Sequence, residues 1–159
     1  MTETRFWIGV VSHEHVQRGV ELGIAQFNHG KRAPAARLHQ GDWLIYYSPR
    51  TSYPSGAPLQ AFTAVGQITS EAPYQVTLPD GFQPFRHTVR YLPCRSVPIQ
   101  EVLEDLTFLP DKQRWGARFR FGLLMVSRTD FQRIARAMGV NIPARKEEAS
   151  EAPSFRPSQ

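Results

Sequence analysis

Residues 41–68 read GDWLIYYSPRTSYPSGAPLQAFTAVGQI, and this stretch decides the fold. Asp42 to Ser48 is rich in aromatic and β-branched residues. Leu59 to Ile68 alternates in part and carries Gly66. Between them lies Pro49-Arg50-Thr51-Ser52-Tyr53-Pro54-Ser55-Gly56-Ala57-Pro58, dense in turn residues. Two antiparallel strands joined by a long loop are expected. Such a loop on a rigid sheet is a common place for binding residues. Tyr46 and Tyr47 are adjacent, so in a strand their side chains leave opposite faces.

Outward from this hairpin, Arg5 to Val11 predicts a first strand and Ser12 a helix N-cap, with Glu14 in the first turn. Val16, Val20 and Ile24 recur four apart as an apolar stripe, and Gly23 is a stop. Phe85 to Arg95 reads as a long strand with Arg86, Thr88 and Arg90 on one face. Pro98 to Leu106 predicts a short helix that buries Ile99, Val102, Leu103 and Leu106. Arg118 to Val126 reads as a strand that opens with arginine and phenylalanine in alternation. A capping box at Thr129 and Gln132 starts a last helix, and Gly139 stops it. Residues 144–159 are polar and rich in Pro and Ser, and are expected to be a disordered tail to a single domain over 1–143. This order does not alternate as a βαβ series. It predicts an α+β domain, a small mixed and largely antiparallel barrel with helices outside.

Composition narrows the function classes. Net charge is +5, and all of it lies in residues 1–143, because the last sixteen residues hold three basic and three acidic side chains. Sixteen of the nineteen basic residues are arginine, the side chain that forks onto phosphate and stacks on bases. An acidic partner such as nucleic acid is expected. No apolar run approaches the roughly 20 residues of a membrane span. The start MTETRFWIGVV lacks the pattern of a secretion signal, and the single cysteine, Cys94, fits a reducing, cytoplasmic setting.

Catalytic and metal patterns are weak. His13 and His15 fall about 200° apart on a helix, so they do not share a zinc ion, and no metal is expected. Cys94 and His87 lie seven residues apart on one predicted strand, too far for a nucleophile and its base. P-loop, G-x-S-x-G and G-x-G-x-x-G motifs are absent from the sequence. No cofactor is expected. The aromatics carry more information, since aromatic faces beside a few polar groups hold unstacked bases.

FWIGVVSHEHVQRGVELGIAQFNHGK (6–31), LHQGDWLIYYSPR (38–50), LQAFTAVGQI (59–68), FQPFR (82–86) and DKQRWGARFRFGLLMV (111–126) follow one another in order. Their combination resembles the EVE domain family of the PUA-like superfamily. The resemblance implies a β-barrel flanked by short helices, related to the YTH domain, which captures a methylated RNA base in an aromatic cage. Eukaryotic EVE proteins look like readers of modified DNA bases, and bacterial ones are often linked to modification-dependent restriction. Asn28, His29, Gly30 and Lys31 fit the EVE pattern, as do Tyr46, Tyr47, Ser48 and Pro49, and Trp115 with Gly116. The YTH cage tryptophan after the first helix has no counterpart in Ile24-Ala25-Gln26-Phe27.

The expectation is a non-enzymatic module that holds a modified base in an aromatic pocket with an arginine rim. Tyr46 or Tyr47 would stack on the base with Trp115, and Phe119 would line the pocket. Gln26, Asn28, His29, Gly30, Lys31, Ser48 and Pro49 would complete it. Arg86, Arg90, Arg118 and Arg120 would meet phosphates. The alternatives are a hydrolase of the ASCH type, with Lys31 or Lys112 as base, and a small-molecule sensor.

Overall fold

The computed structural model describes residues 3–143, and the tail expected at 144–159 lies outside them. The predicted hairpin is its centre. Strand β3 (Trp43–Arg50) pairs antiparallel with β4 (Pro58–Ile68), and the loop shrinks to residues 51–57 because Arg50 still pairs with Pro58. Strand β1 (Phe6–Val10) lies parallel to β3 on the other side, from Phe6 opposite Trp43 to Val10 opposite Tyr47. A parallel pair needs a long crossover. Helix α1 (His13–Leu22), β2 (Ile24–Ala25) and helix α2 (Arg32–Ala35) supply it. Strands β5 (Tyr74–Gln75), β6 (Phe85–Leu92), β7 (Val97–Pro98) and β8 (Leu123–Val126) complete a mixed sheet of order β2-β6-β4-β3-β1-β8, with β5 on β6 and β7 on β4. The sheet curls into a PUA-like half-barrel. Helix α3 (Arg128–Ala137) packs outside it.

Both faces of β3 are covered, which is why its run reads as continuously apolar rather than alternating. Trp43, Ile45 and Tyr47 join one core with Phe6, Ile8, Phe62 and the α3 residues Phe131, Ile134 and Ala135. Leu44 and Tyr46 join a second core with Trp7, Val16, Phe27 and Val89. Asp42 is buried and anchors the crossover. It accepts from Arg5 N (3.0 Å), Trp7 Nε1 (2.9 Å) and His39 N (2.9 Å).

Four local expectations need correction. Residues 115–121 form a 3-10 helix, not the start of a strand. On a strand Phe119 and Phe121 would share a face, but at three residues per turn they diverge, and Phe119 is buried while Phe121 is 69% exposed. Gly122 at φ 76° then breaks into β8. Helix α3 is capped two residues early, by Ser127 Oγ accepting from Asp130 N at 3.1 Å. The α1 stripe contributes only Val16 to the core, since Val20 is 41% exposed and Ile24 already belongs to β2. The segment from Pro98 to Leu106 is two short 3-10 turns, and its four apolar residues are buried as expected.

Candidate functional site

The predicted site residues separate by parity along β3. Tyr46 is buried in the second core, its ring stacked on Tyr91 at 6.4 Å. Tyr91 Oη donates to Ile24 O at 2.8 Å. Burial pushes both phenols' pKa values up. Tyr47 lies in the other core, stacked on Phe119 with centroids 4.1 Å apart. Trp115 and Phe62 meet Tyr47 edge-on at 6.2 and 5.4 Å. Tyr47, Trp115 and Phe119 therefore do come together, but Phe119 already takes the face a base would need. Tyr46 and Tyr47 are 3% and 2% exposed, so neither presents a ring to solvent. Ser48 is buried, its hydroxyl shared with Thr63 Oγ1 at 2.8 Å, and Pro49 and Trp115 are half-buried.

The exposed part of the predicted set gathers at the turn Phe27–Gly30. Gly30 N donates to Phe27 O at 3.0 Å, and Asn28 and His29 take φ values of 48° and 63°. This is a mirror-image turn made without glycine at its two central positions, at a cost of about 1–2 kcal/mol per non-glycine residue. Gly30 follows at φ 81°, where a Cβ would overlap Pro84. Two aromatics lie against the turn. The His29 ring is 6.0 Å from Tyr53 in the β3–β4 loop. The tip of Phe82 lies beside Gly30. The Asn28 amide packs against Gly122, where any Cβ would overlap it, and Gly122 follows Phe121. Tyr53, Phe82 and Phe121 are 67%, 45% and 69% exposed. The site residues predicted from sequence include none of the three. Their one signal is an aromatic within a turn-rich segment or beside a glycine, where no core periodicity accounts for it.

Cations surround the same end. Lys31, Arg118 and Arg120 are exposed, and Arg86 is half-buried with Nε donating to Gln26 Oε1 at 2.9 Å. Arg90 lies elsewhere, donating to Gln67 Oε1 at 3.2 Å beside the Gly41 end of β3. The ion pairs among the described residues are Arg95–Glu101 and Arg133–Asp105, so Lys31, Arg86, Arg118 and Arg120 have no carboxylate partner there. Nearby, Glu14 N at the start of α1 donates to Thr51 O at 2.9 Å, and the buried Ser12 Oγ has no hydrogen-bond partner. Ser12 occupies the N-cap position as expected, but its side chain does not cap.

The remaining candidates offer little chemistry. Among the described residues no group of three or more His, Cys, Asp or Glu side chains could hold a metal. Desolvation raises the pKa of the Cys94 thiol, the opposite of activation. Lys112 Nζ is tied to Leu106 O at 2.6 Å. A groove of about 700 Å³ between α1, the middle of β4 and the end of β6, with Gln17, Arg18 and Tyr91 in its walls, was not anticipated. No helix among the described residues is long and apolar enough to cross a membrane.

A curled mixed sheet with short helices outside it defines a PUA-like fold. Residues 5–137 match the EVE domain profile, and the chain belongs to that family. It is 48% identical over 132 residues to a UPF0310 protein of Mycolicibacterium vanbaalenii, covering 83% of this chain and 91% of that one. It is 45% identical to the UPF0310 protein YdcG of Bacillus subtilis, covering 87% and 95%. Among solved structures it is similar to the YTH domain of the Zygosaccharomyces rouxii MRB1 protein in complex with N6-methyladenosine RNA. That likeness has a TM-score of 0.60 at 16% identity and covers 91% and 92% of the two chains. A hypothetical protein from Leishmania major gives 0.56 at 9%, covering 86% and 96%. At such identities the likeness establishes the fold.

Proposed function

We propose that this chain is a non-enzymatic nucleic-acid-binding module that accepts an unstacked, modified base at the Phe27–Gly30 end of its sheet. One observation carries the reading: exposed Tyr53 and Phe82 lie against a strained turn, exposed Phe121 precedes the Gly122 on which Asn28 packs, and the cations beside them lack carboxylate partners. Exposed aromatic faces are costly to leave in water and are how proteins hold unstacked bases. Backbone strain kept by its surroundings is a feature of ligand sites. Asn28, His29 and Lys31 would read the polar edge of the base, with Trp115 flanking. Arg118 and Arg120 would meet phosphates. EVE membership and the fold shared with a YTH domain bound to methylated RNA support the reading.

The test is a panel of single-stranded and duplex DNA and RNA oligonucleotides, plain and base-modified, titrated at low salt. Binding with preference for a modified base is expected, and each of Tyr53→Ala and Phe121→Ala should weaken it by about 1–3 kcal/mol. Absence of binding across the panel would overturn the reading.

A further inference from the structure

The outward face of β6 holds a second arrangement. His87 and Val89 point inward and are buried, so Arg86, Thr88 and Arg90 point out. Residues opposed across an antiparallel pair share a face. Tyr74 of β5 opposes Arg86, and Ile24 of β2 opposes Thr88. Gln26, one residue past Ala25 and its partner His87, returns to the same face. Two hydrogen bonds fix the cluster. Arg86 Nε donates to Gln26 Oε1 at 2.9 Å, and the Tyr74 hydroxyl meets Thr88 Oγ1 at 2.8 Å.

The orientation follows from those contacts. Tyr74 starts opposite Arg86, yet its hydroxyl reaches Thr88, two residues along β6. Its long axis therefore lies along the sheet, not upright from it, and the half-buried ring runs beside Arg86. Arg86 uses Nε on Gln26, which leaves both terminal nitrogens as a fork with its direction set. A free surface arginine meeting a phosphate needs neither the glutamine nor the platform. A flat ring beside a pinned fork matches a planar group with two adjacent acceptors on one edge.

The geometry points to a subsite for one unpaired guanine, stacked on Tyr74 with O6 and N7 on the Arg86 fork. Gln26 is a positioning residue that acts through Arg86. The inference rests on the proposed nucleic-acid binding and gives Arg86 a base-reading role instead of the phosphate contact expected from sequence. Arginine bidentate to O6 and N7 is the most frequent specific arginine contact with a base.

The test is fluorescence anisotropy with the full chain at low salt. The probes are labelled dT10 oligomers carrying at the centre guanine, inosine, 7-deazaguanine, adenine or an abasic site. Guanine and inosine, which share O6 and N7, should bind alike and at least about fivefold tighter than 7-deazaguanine or adenine. Arg86→Lys keeps the charge and should abolish that preference without changing affinity for the adenine oligomer. Gln26→Glu keeps the acceptor and should retain the preference, whereas Gln26→Leu should reduce it at unchanged thermal stability. Equal binding of all bases would overturn the subsite and leave nucleic-acid binding standing. So would an abasic oligomer that binds like guanine and depends equally on Arg86, which marks a phosphate contact. Failure to bind every oligomer would overturn both.

Discussion

Gly30→Ala separates two costs that the structure predicts at one position. Gly30 has φ 81°, which disfavours any side chain, and a Cβ there would also overlap Pro84, with Pro84 Cα at 2.9 Å. Pro84 cannot retreat freely, because the next residue, Phe85, donates its N–H to Gly30 O at 2.8 Å and opens β6. Gly81 is the matched control, with φ 90° and nothing within 4 Å of the point a Cβ would occupy. The left-handed backbone alone costs about 1–2 kcal/mol, and overpacking adds about 1–3. Gly81→Ala should therefore lose about 1–2 kcal/mol and Gly30→Ala about 2–5, up to half of a typical domain's stability. Urea unfolding followed by tryptophan fluorescence reads both, as a lower midpoint at unchanged m-value. Equal losses for the two variants would refute the packing of the turn on Pro84, and with it the placement of Asn28 and His29.

Other perturbations test the rest of the framework. His87 is buried, with Nε2 donating to the Ala35 carbonyl (2.9 Å) and Nδ1 therefore accepting from Ser70 Oγ (2.7 Å). Burial lowers its pKa from the ordinary 6.5, against the opposing pull of Ala35 and Asp42. The unfolded chain then binds more protons as acid is added, so this histidine's contribution to stability is full above about pH 6.5 and declines as pH falls through its folded pKa. Imidazole NMR shifts should show His87 neutral below pH 6.5, and a titration at the ordinary value would contradict that burial. Phe119→Ala removes a ring that is 7% exposed and stacked on Tyr47, and should cost about 3–5 kcal/mol in thermal unfolding. A loss below about 1 kcal/mol would mean that the 115–121 segment does not seal the core.

The scaffold was legible wherever periodicity carried it. The β3–β4 hairpin followed from two β-prone runs around a Pro/Gly/Ser loop, and the opposite facing of Tyr46 and Tyr47 from parity alone. Parity could not tell that both faces of β3 are covered, because that depends on α1 and α3 docking from opposite sides. The arginine–phenylalanine alternation before Gly122 imitated a strand, and only the tertiary demand for Phe119 under Tyr47 fixed it as a 3-10 helix. The binding end was half legible. Asn28-His29-Gly30 is a composition that tolerates left-handed backbone, and it was singled out. Tyr53, Phe82 and Phe121 sit in irregular segments where sequence spacing says nothing about which neighbour they reach. The Arg86–Gln26 and Tyr74–Thr88 pairs join residues 60 and 14 apart, which no local pattern connects.

Everything proposed for function depends on nucleic acid engaging the Phe27–Gly30 end of the sheet. An amide NMR titration of the isotope-labelled chain with a single-stranded oligonucleotide carrying a modified base locates the contact residue by residue. Shift changes should concentrate on residues 26–31 and on Tyr53, Phe82 and Phe121. Changes confined to the groove between α1, the middle of β4 and the end of β6, or no changes at saturating oligonucleotide, would contradict that placement.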